Sequence, residues 1–157
     1  MARLSIVVVA VLTAGGTASA FWTGHGQGDG SVATATTDAV TLSPASPAAQ
    51  MYPGSSADVM VAISNPNAAS VHIGSLALDP AIGTGGLSAD SAHPMCELSS
   101  FGFTTATNGG AGWTVPGATG GTAGTSAVTL AGALAMSLDA PNGCQGVAVT
   151  VYLSAGQ

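Results

Sequence analysis

The stretch that decides the fold is Ala57–Ser64, which reads ADVMVAIS. Its apolar members Val59, Val61 and Ile63 occupy alternate positions. Successive side chains of a β-strand point to opposite faces, so these three share one face. The residues that share the other face are Asp58, Met60 and Ala62. The alternation predicts a strand with one dry and one wet face, as antiparallel sheets commonly have.

A turn and a second strand are predicted directly after this stretch. In Asn65-Pro66-Asn67, the proline disfavours helical geometry at the residue before it, and asparagine tolerates turn geometry. Val71–Leu78 then carries Val71 and Ile73 on one face and is followed by Asp79-Pro80. We expect Val71–Leu78 to be the partner strand of Ala57–Ser64.

The same alternation predicts further strands on both sides of this pair. They are Ser31–Leu42, Cys96–Phe103, Trp113–Val115, Ser126–Leu138 and Val147–Leu153. In Ser126–Leu138 a helix competes because of the Ala and Leu content, but the period of two and Gly132 favour a strand. The segments 43–54, 81–95 and 117–125 are rich in Pro, Gly or Ser and are interpreted as connections. About seven short strands with Gly and Pro turns predict an all-β fold, an Ig-like antiparallel β-sandwich preceded by an N-terminal signal helix.

The N-terminus has the parts of a secretory signal peptide. Arg3 precedes the apolar run Leu4–Ala14, and small residues follow up to Ala20. We predict a signal peptide at residues 1–20, cleaved between Ala20 and Phe21. An uncleaved membrane anchor is the alternative, because counting on to Trp22 reaches spanning length. A Gly-rich linker at 21–30 and a β-sandwich domain at 31–157 complete the predicted domain organisation.

Cys96 and Cys144 are the only cysteines of the chain. In an exported protein such a pair indicates a disulfide. Free or metal-binding thiols are the alternative, but CxxC spacing and a nearby His pair are both lacking. We expect the bridge to tie the strand of Cys96 to the start of the last strand.

The charge balance limits the possible partners. Arg3 is the only Lys or Arg in the chain, and charged residues make up 5% of the sequence. Nucleic-acid binding is therefore not expected, since no basic side chains would replace the counterions of phosphates. The sequence also lacks HExxH and GxSxG. We predict a protein that is not an enzyme, with no catalytic, cofactor-binding or metal-binding residues.

Three weaker candidate sites compete with this prediction. A metal site would use Asp90, His93 and Glu97. A calcium site would use Asp79, Asp90 and Asp139, although loop carboxylates more often cap turns. A sugar-binding face would use Trp113, Tyr152, Phe101 and Phe103, although such scarce aromatic residues more often pack in a core. His72 is expected on the solvent-facing side of its strand.

The first forty residues resemble the TasA/camelysin group of bacterial surface proteins. The resemblance is carried by Gly15-Gly16-Thr17, by Ala20-Phe21 and by the Thr/Ala-rich Ser31–Ala35. It implies a signal peptide processed by a SipW-type peptidase. It also implies assembly in which the N-terminal segment of one subunit, here Ser31–Leu42, completes the sheet of the next.

The rest of the chain resembles small actinobacterial secreted β-sandwich proteins of unknown function. The resemblance is carried by Asn65-Pro66-Asn67 and Cys144-Gln145-Gly146. Together these features predict a secreted or cell-surface protein with a structural or adhesive role. Its partners would be other copies of itself or cell-wall components, and it would contact a membrane only through an uncleaved signal segment. The alternative is an extracellular module that binds cell-wall glycan or calcium without catalysis.

Overall fold

The computed structural model describes residues 37–157, which form an all-β domain. Every strand pair in this range is antiparallel, as the alternating sequence predicts. No helix in the same range is long and apolar enough to cross a membrane. The predicted signal peptide 1–20, the cleavage site Ala20-Phe21, the linker 21–30 and the first part of the strand 31–42 lie outside the described residues.

The described residues contain eleven strands and three single-turn 3-10 helices. The strands are β1 (Thr41–Leu42), β2 (Ser46–Pro47), β3 (Ser56–Asn65), β4 (Val71–Ile73), β5 (Ser75–Leu78), β6 (Leu87–Ala89), β7 (Phe101–Phe103), β8 (Trp113–Val115), β9 (Gly124–Met136), β10 (Val149–Val151) and β11 (Leu153–Gly156). The 3-10 helices are Leu98–Ser100, Asn108–Gly110 and Asn142–Cys144. The strands are more numerous than the seven expected, and all but β3 and β9 are two to four residues long. The Ig-like topology stays a prediction.

The two longest strands, β3 and β9, form the centre of a five-stranded sheet. Its order is β1-β3-β9-β7, and β2 also pairs with β3. In β3, buried and exposed residues alternate along nearly the whole strand. The prediction that Val59, Val61 and Ile63 face the core is confirmed, since all three are buried.

The predicted partner of β3 is wrong. Residues 71–78 form two strands, β4 and β5, which pair with β8 and β11. The break falls at Gly74, whose N–H donates a 2.8 Å hydrogen bond to the carbonyl of Gly156. A Cβ at Gly74 would lie 3.1 Å from the backbone of Gln157, so the C-terminus passes close to this point. The partner of β3 is β9 instead.

The strand prediction for Ser126–Leu138 is confirmed in β9, with a bulge that the pattern did not reveal. Ala57 is opposite Leu134 and Val59 is opposite Leu130, so three residues of β9 lie against Asp58 alone. Gly132 lies in this bulge with φ +58°. A glycine adopts such a left-handed conformation without the steric cost that a Cβ brings.

The core lies between the five-stranded sheet and the three two-stranded ladders β4-β8, β5-β11 and β6-β10. Buried side chains from all of them form one apolar cluster. Examples are Val59 and Leu134 from the sheet, and Leu76, Val115 and Val151 from the ladders. The connection through Ala45 joins the two sets of strands, because Ala45 exchanges backbone hydrogen bonds with Val151.

Three other sequence predictions need correction. The expected loop 81–95 contains β6, which was missed because Leu87–Ala89 is too short to show a period. In Cys96–Phe103, only Phe101–Phe103 is a strand, and a 3-10 turn precedes it. The last predicted strand is divided in two at Tyr152. The N–H of Tyr152 donates a hydrogen bond to the Gly86 carbonyl, and its own carbonyl accepts one from the N–H of Asp79.

Candidate functional site

Cys96 and Cys144 form a disulfide with an S–S distance of 2.00 Å, as the sequence predicts. Cys144 is 1% exposed and belongs to the core cluster, whereas Cys96 packs against that cluster from outside. The bridge joins the loop before β7 to the 3-10 turn before β10. Neither cysteine lies in a strand, which corrects the expected strand-to-strand connection.

Beside the disulfide, Asp90 fastens the end of β6 to the start of β10. Its Oδ2 accepts a 2.6 Å hydrogen bond from the N–H of Ala148, and its own N–H donates to the Ala148 carbonyl. Its Oδ1 accepts from the N–H of Ala92 and lies 2.8 Å from Nδ1 of His93. The Ala148 N–H, and after it His93 and Ala92, lower the pKa of Asp90 from 3.8 to about 2.

The Asp90–His93 pair has the geometry of two members of a catalytic triad. The carboxylate contacts Nδ1, which leaves Nε2 as the atom that a nucleophile would use. A Cβ at Gly146 would lie 3.9 Å from this Nε2. Among residues 37–157, no side chain forms a hydrogen bond with Nε2. Through Asp90, the pair fastens the loop after β6 to the start of β10.

Two adjoining cavities lie between the segment 46–53 and the segment 145–149. Their volumes are about 380 and 260 Å³, and they share Gln50, Met51 and Gly146. Among residues 37–157, no charged side chain lines either cavity. We call these two cavities the neutral groove.

The neutral groove has an aromatic ring and two amides at one end. Tyr52 is 64% exposed there, and Gln50 and Gln145 are the amide residues. Nε2 of Gln145 donates to Oδ1 of Asn142 at 3.3 Å, and the Tyr52 hydroxyl lies 3.4 Å from Oε1 of Gln50. A ring face beside neutral amides can bind an uncharged polar ligand by stacking and hydrogen bonds.

The aromatic set named from the sequence does not form this site. Phe101 is buried in the core and borders only the larger cavity. Phe103 and Trp113 are partly buried against the core. Tyr152 lies between β10 and β11, with its hydroxyl 3.5 Å from Ser88. For Phe101, Phe103 and Trp113 the core-packing interpretation is therefore correct.

The acidic and histidine sets weighed as metal sites are not assembled. In residues 37–157, no three His, Cys, Asp or Glu side chains converge in a way that could hold a metal ion. Of Asp90, His93 and Glu97, only the first two are in contact. Asp79 accepts from the N–H of Ala81, which is the turn-capping role expected of a loop carboxylate. His72 is exposed on its strand, as predicted.

A third cavity, of about 390 Å³, lies where the first described residues meet the C-terminus. It is lined by residues 37–40, by residues around β4 and by residues 155–157. Asp38 is held at its rim by Asn67, which accepts from the Asp38 N–H at 2.8 Å and donates to its carbonyl at 2.9 Å.

Comparison of the chain with protein-family models, with curated proteins and with solved structures finds no match. The candidate site therefore rests on geometry alone.

Two residues that matter here were missed from the sequence. Tyr52 lies in the Pro-rich connection between Pro47 and Pro53. An aromatic residue between two prolines is the sequence feature that could have pointed to it. Asn65 was interpreted only as a turn residue, but it is fully buried. Asn65 alternates with Val61 and Ile63, so the sequence pattern alone already places it on the core face.

Proposed function

We propose that this protein is exported and has a structural or adhesive role at the cell surface, assembling through its N-terminal strand. The disulfide supports export, because structural disulfides persist mainly in oxidising compartments. The scarcity of charged side chains, 5% of the sequence, supports self-association, because few charged groups oppose contact between copies. The resemblance of the first forty residues to the TasA/camelysin group supports the same role.

The observation that carries the proposal concerns the predicted strand 31–42. Of its described residues, only Thr41 and Leu42 pair with their own domain, opposite Ser64 and Ile63. Residues 37–40 form no strand, and the side chain of Asn67 holds the backbone of Asp38 among them. In strand addition, backbone hydrogen bonds to a neighbouring sheet supply affinity, and alternate side chains fix the register. A segment whose described residues, 37–42, pair with their own domain only at Thr41 and Leu42 suits that role.

The test compares three versions of the chain, beginning at Phe21, Ser31 and Thr37. Each keeps β1, because removing Thr41 and Leu42 would expose part of the β3 edge. Sedimentation velocity and electron microscopy over a wide concentration range measure assembly. We expect the versions starting at Phe21 and Ser31 to assemble and the version starting at Thr37 to lose higher assemblies. Equal behaviour of all three versions would refute the role of the N-terminal strand.

A second candidate function, binding of neutral cell-wall glycan, is favoured by the neutral groove. Sugars stack on exposed aromatic faces and hydrogen-bond with amides, and Tyr52, Gln50 and Gln145 offer both. Calorimetry with uncharged glycan fragments tests it. Tyr52→Ala should weaken binding roughly tenfold, and Met60→Ala, an exposed side chain on β3, should not. The absence of heat with the unaltered protein would remove this function.

A further inference from the structure

The backbone of β9 has two sides, and the hydrogen bonds of β3 show which residues face each side. The carbonyls of Asp58 and Ala62 accept hydrogen bonds from the segment 43–48. In an antiparallel ladder a residue directs its N–H and C=O to the same neighbour, so the alternate residues Val61 and Ile63 face β9. These two lie opposite Val128 and Ser126 of β9.

The alternate residues of β9 must then face away from β3. They are Thr125, Ala127, Thr129 and Ala131. On that side, β7 pairs only with Leu134–Met136, and the N–H of Thr104 donates to the Ala133 carbonyl. From residue 125 to residue 131, no backbone hydrogen bond reaches the outer side of β9 from any other part of residues 37–157. We call this stretch the open edge.

The open edge is long and carries none of the usual protections. Seven residues in a strand span about 23 Å. Natural edge strands are commonly shielded by lysine, proline, a bulge or an inward charge. Here Thr125, Ala127 and Thr129 are exposed, small and uncharged. The bulge comprises residues 131–133, so it includes only the last residue of the open edge and leaves residues 125–130 in regular register with β3.

We infer that the open edge binds the same edge of a second copy of this chain. Two identical strands can pair antiparallel about a twofold axis at Ala127. Ala127 then faces Ala127 of the second copy, and Thr125 faces its Thr129. Three directly opposed pairs exchange about six N–H···O bonds. The pairing joins two five-stranded sheets into one continuous sheet.

The side chains along this edge suit a copy of themselves. Thr opposite Thr is a favourable cross-strand pair, and Ala opposite Ala leaves no steric conflict. The chain has a formal net charge of −6, but no acidic residue lies in 125–131. The carboxylate on the neighbouring strand, Asp58, is engaged by the N–H of Gly132 at 2.8 Å. Like-charge repulsion, which would oppose self-pairing, is therefore absent from the edge itself.

Substitutions on the open edge test the pairing with the chain that starts at Phe21. Ala127→Pro removes an N–H that points outward, so no hydrogen bond to β3 is lost. It should weaken dimerisation roughly thirtyfold, because both central hydrogen bonds disappear. Thr129→Lys should also weaken it, as edge lysines do in natural sheets. Ala62→Lys places the same charge on an exposed site inside the sheet and should leave dimerisation unchanged.

A cross-linking experiment fixes the register. Directly opposed hydrogen-bonded residues have Cα atoms about 5.5 Å apart, within the range of a disulfide. Both native cysteines are already bonded to each other. Ala127→Cys should therefore oxidise to a covalent dimer, and Thr129→Cys alone should not. Equal cross-linking of both variants would contradict the twofold register.

The outcomes separate this inference from the proposed function. A dimer that persists in the version starting at Thr37 and is lost in Ala127→Pro supports the open edge, even if the N-terminal strand has no role. Assembly lost on removing 21–36 but intact in Ala127→Pro overturns the open edge alone. A chain that sediments as a monomer at all concentrations overturns both.

Discussion

The carboxylate of Asp58 accepts a 2.8 Å hydrogen bond from the backbone N–H of Gly132, 74 residues further along the chain. Asp58 lies on the exposed face of β3, and Gly132 lies in the bulge of β9 directly across from it. The bond satisfies an N–H that the bulge removes from the ladder. It also fixes the point at which the register between the two central strands changes.

Gly132→Ala should lower the free energy of unfolding by about 1–2 kcal/mol, because an L-residue is strained at φ +58°. A Cβ there would approach only Ser56 Oγ, at 3.7 Å, so the effect is conformational and not steric. Urea denaturation followed by circular dichroism measures it. Gly102→Ala is the matched control, since a Cβ at Gly102 would meet no atom within 4 Å. Equal stability of both variants would contradict the strained bulge.

Asn65 should be the most sensitive polar residue of the domain. Its Nδ2 donates to the carbonyls of Ala69 and Pro116, and its Oδ1 accepts from the N–H of Asn67. Asn65→Ala leaves these buried groups without a partner and should cost about 2–3 kcal/mol. The same denaturation experiment checks it. Asn142→Ala, an exposed asparagine, should change stability by less than about 0.5 kcal/mol, and a similar loss in both variants would argue against the Asn65 network.

The pH dependence of the free energy of unfolding should show the contribution of the hydrogen bonds that the Asp90 carboxylate accepts. Its folded pKa is lowered from 3.8 to about 2, so its contribution to stability is present above pH 3.8 and is lost as the pH falls through about 2. The stability difference between the unaltered protein and Asp90→Asn should therefore be largest above about pH 4. It should shrink steadily below that pH. A difference that stays constant from pH 7 to pH 2 would contradict the fastening.

Loss of the disulfide should destabilise the domain strongly. The two cysteines are 48 residues apart, and closing a loop of that length stabilises by about 4 kcal/mol. Thermal unfolding of the unaltered protein with and without reductant measures the effect. The double variant Cys96→Ala/Cys144→Ala should unfold at about the same temperature as the reduced protein. A reductant that lowers the unfolding temperature of the double variant equally would show that the effect does not come from this bridge.

The features that could be predicted from the sequence are the buried faces of the long strands, which follow from local alternation, and the disulfide, which follows from the predicted export of the chain. β3 and β9 are long enough for the period of two to show, and the buried faces follow it. The disulfide followed from there being only two cysteines in a chain with a predicted export signal.

What the sequence did not reveal depends on contacts between distant segments. β3 pairs with β9 and not with residues 71–78, which divide at Gly74 where the C-terminus passes close by. β6 is too short to show a period, and the neutral groove arises only when residues 46–53 meet residues 145–149. The open edge follows from where β7 ends on β9, which no local pattern records.

The measurement that tests the central claim most directly is the intact mass of the protein recovered from the culture medium. The account predicts a chain that begins at Phe21 and is about two hydrogens lighter than the reduced form, because of the bond between Cys96 and Cys144. A full-length chain found only inside cells, with both thiols free, would contradict it.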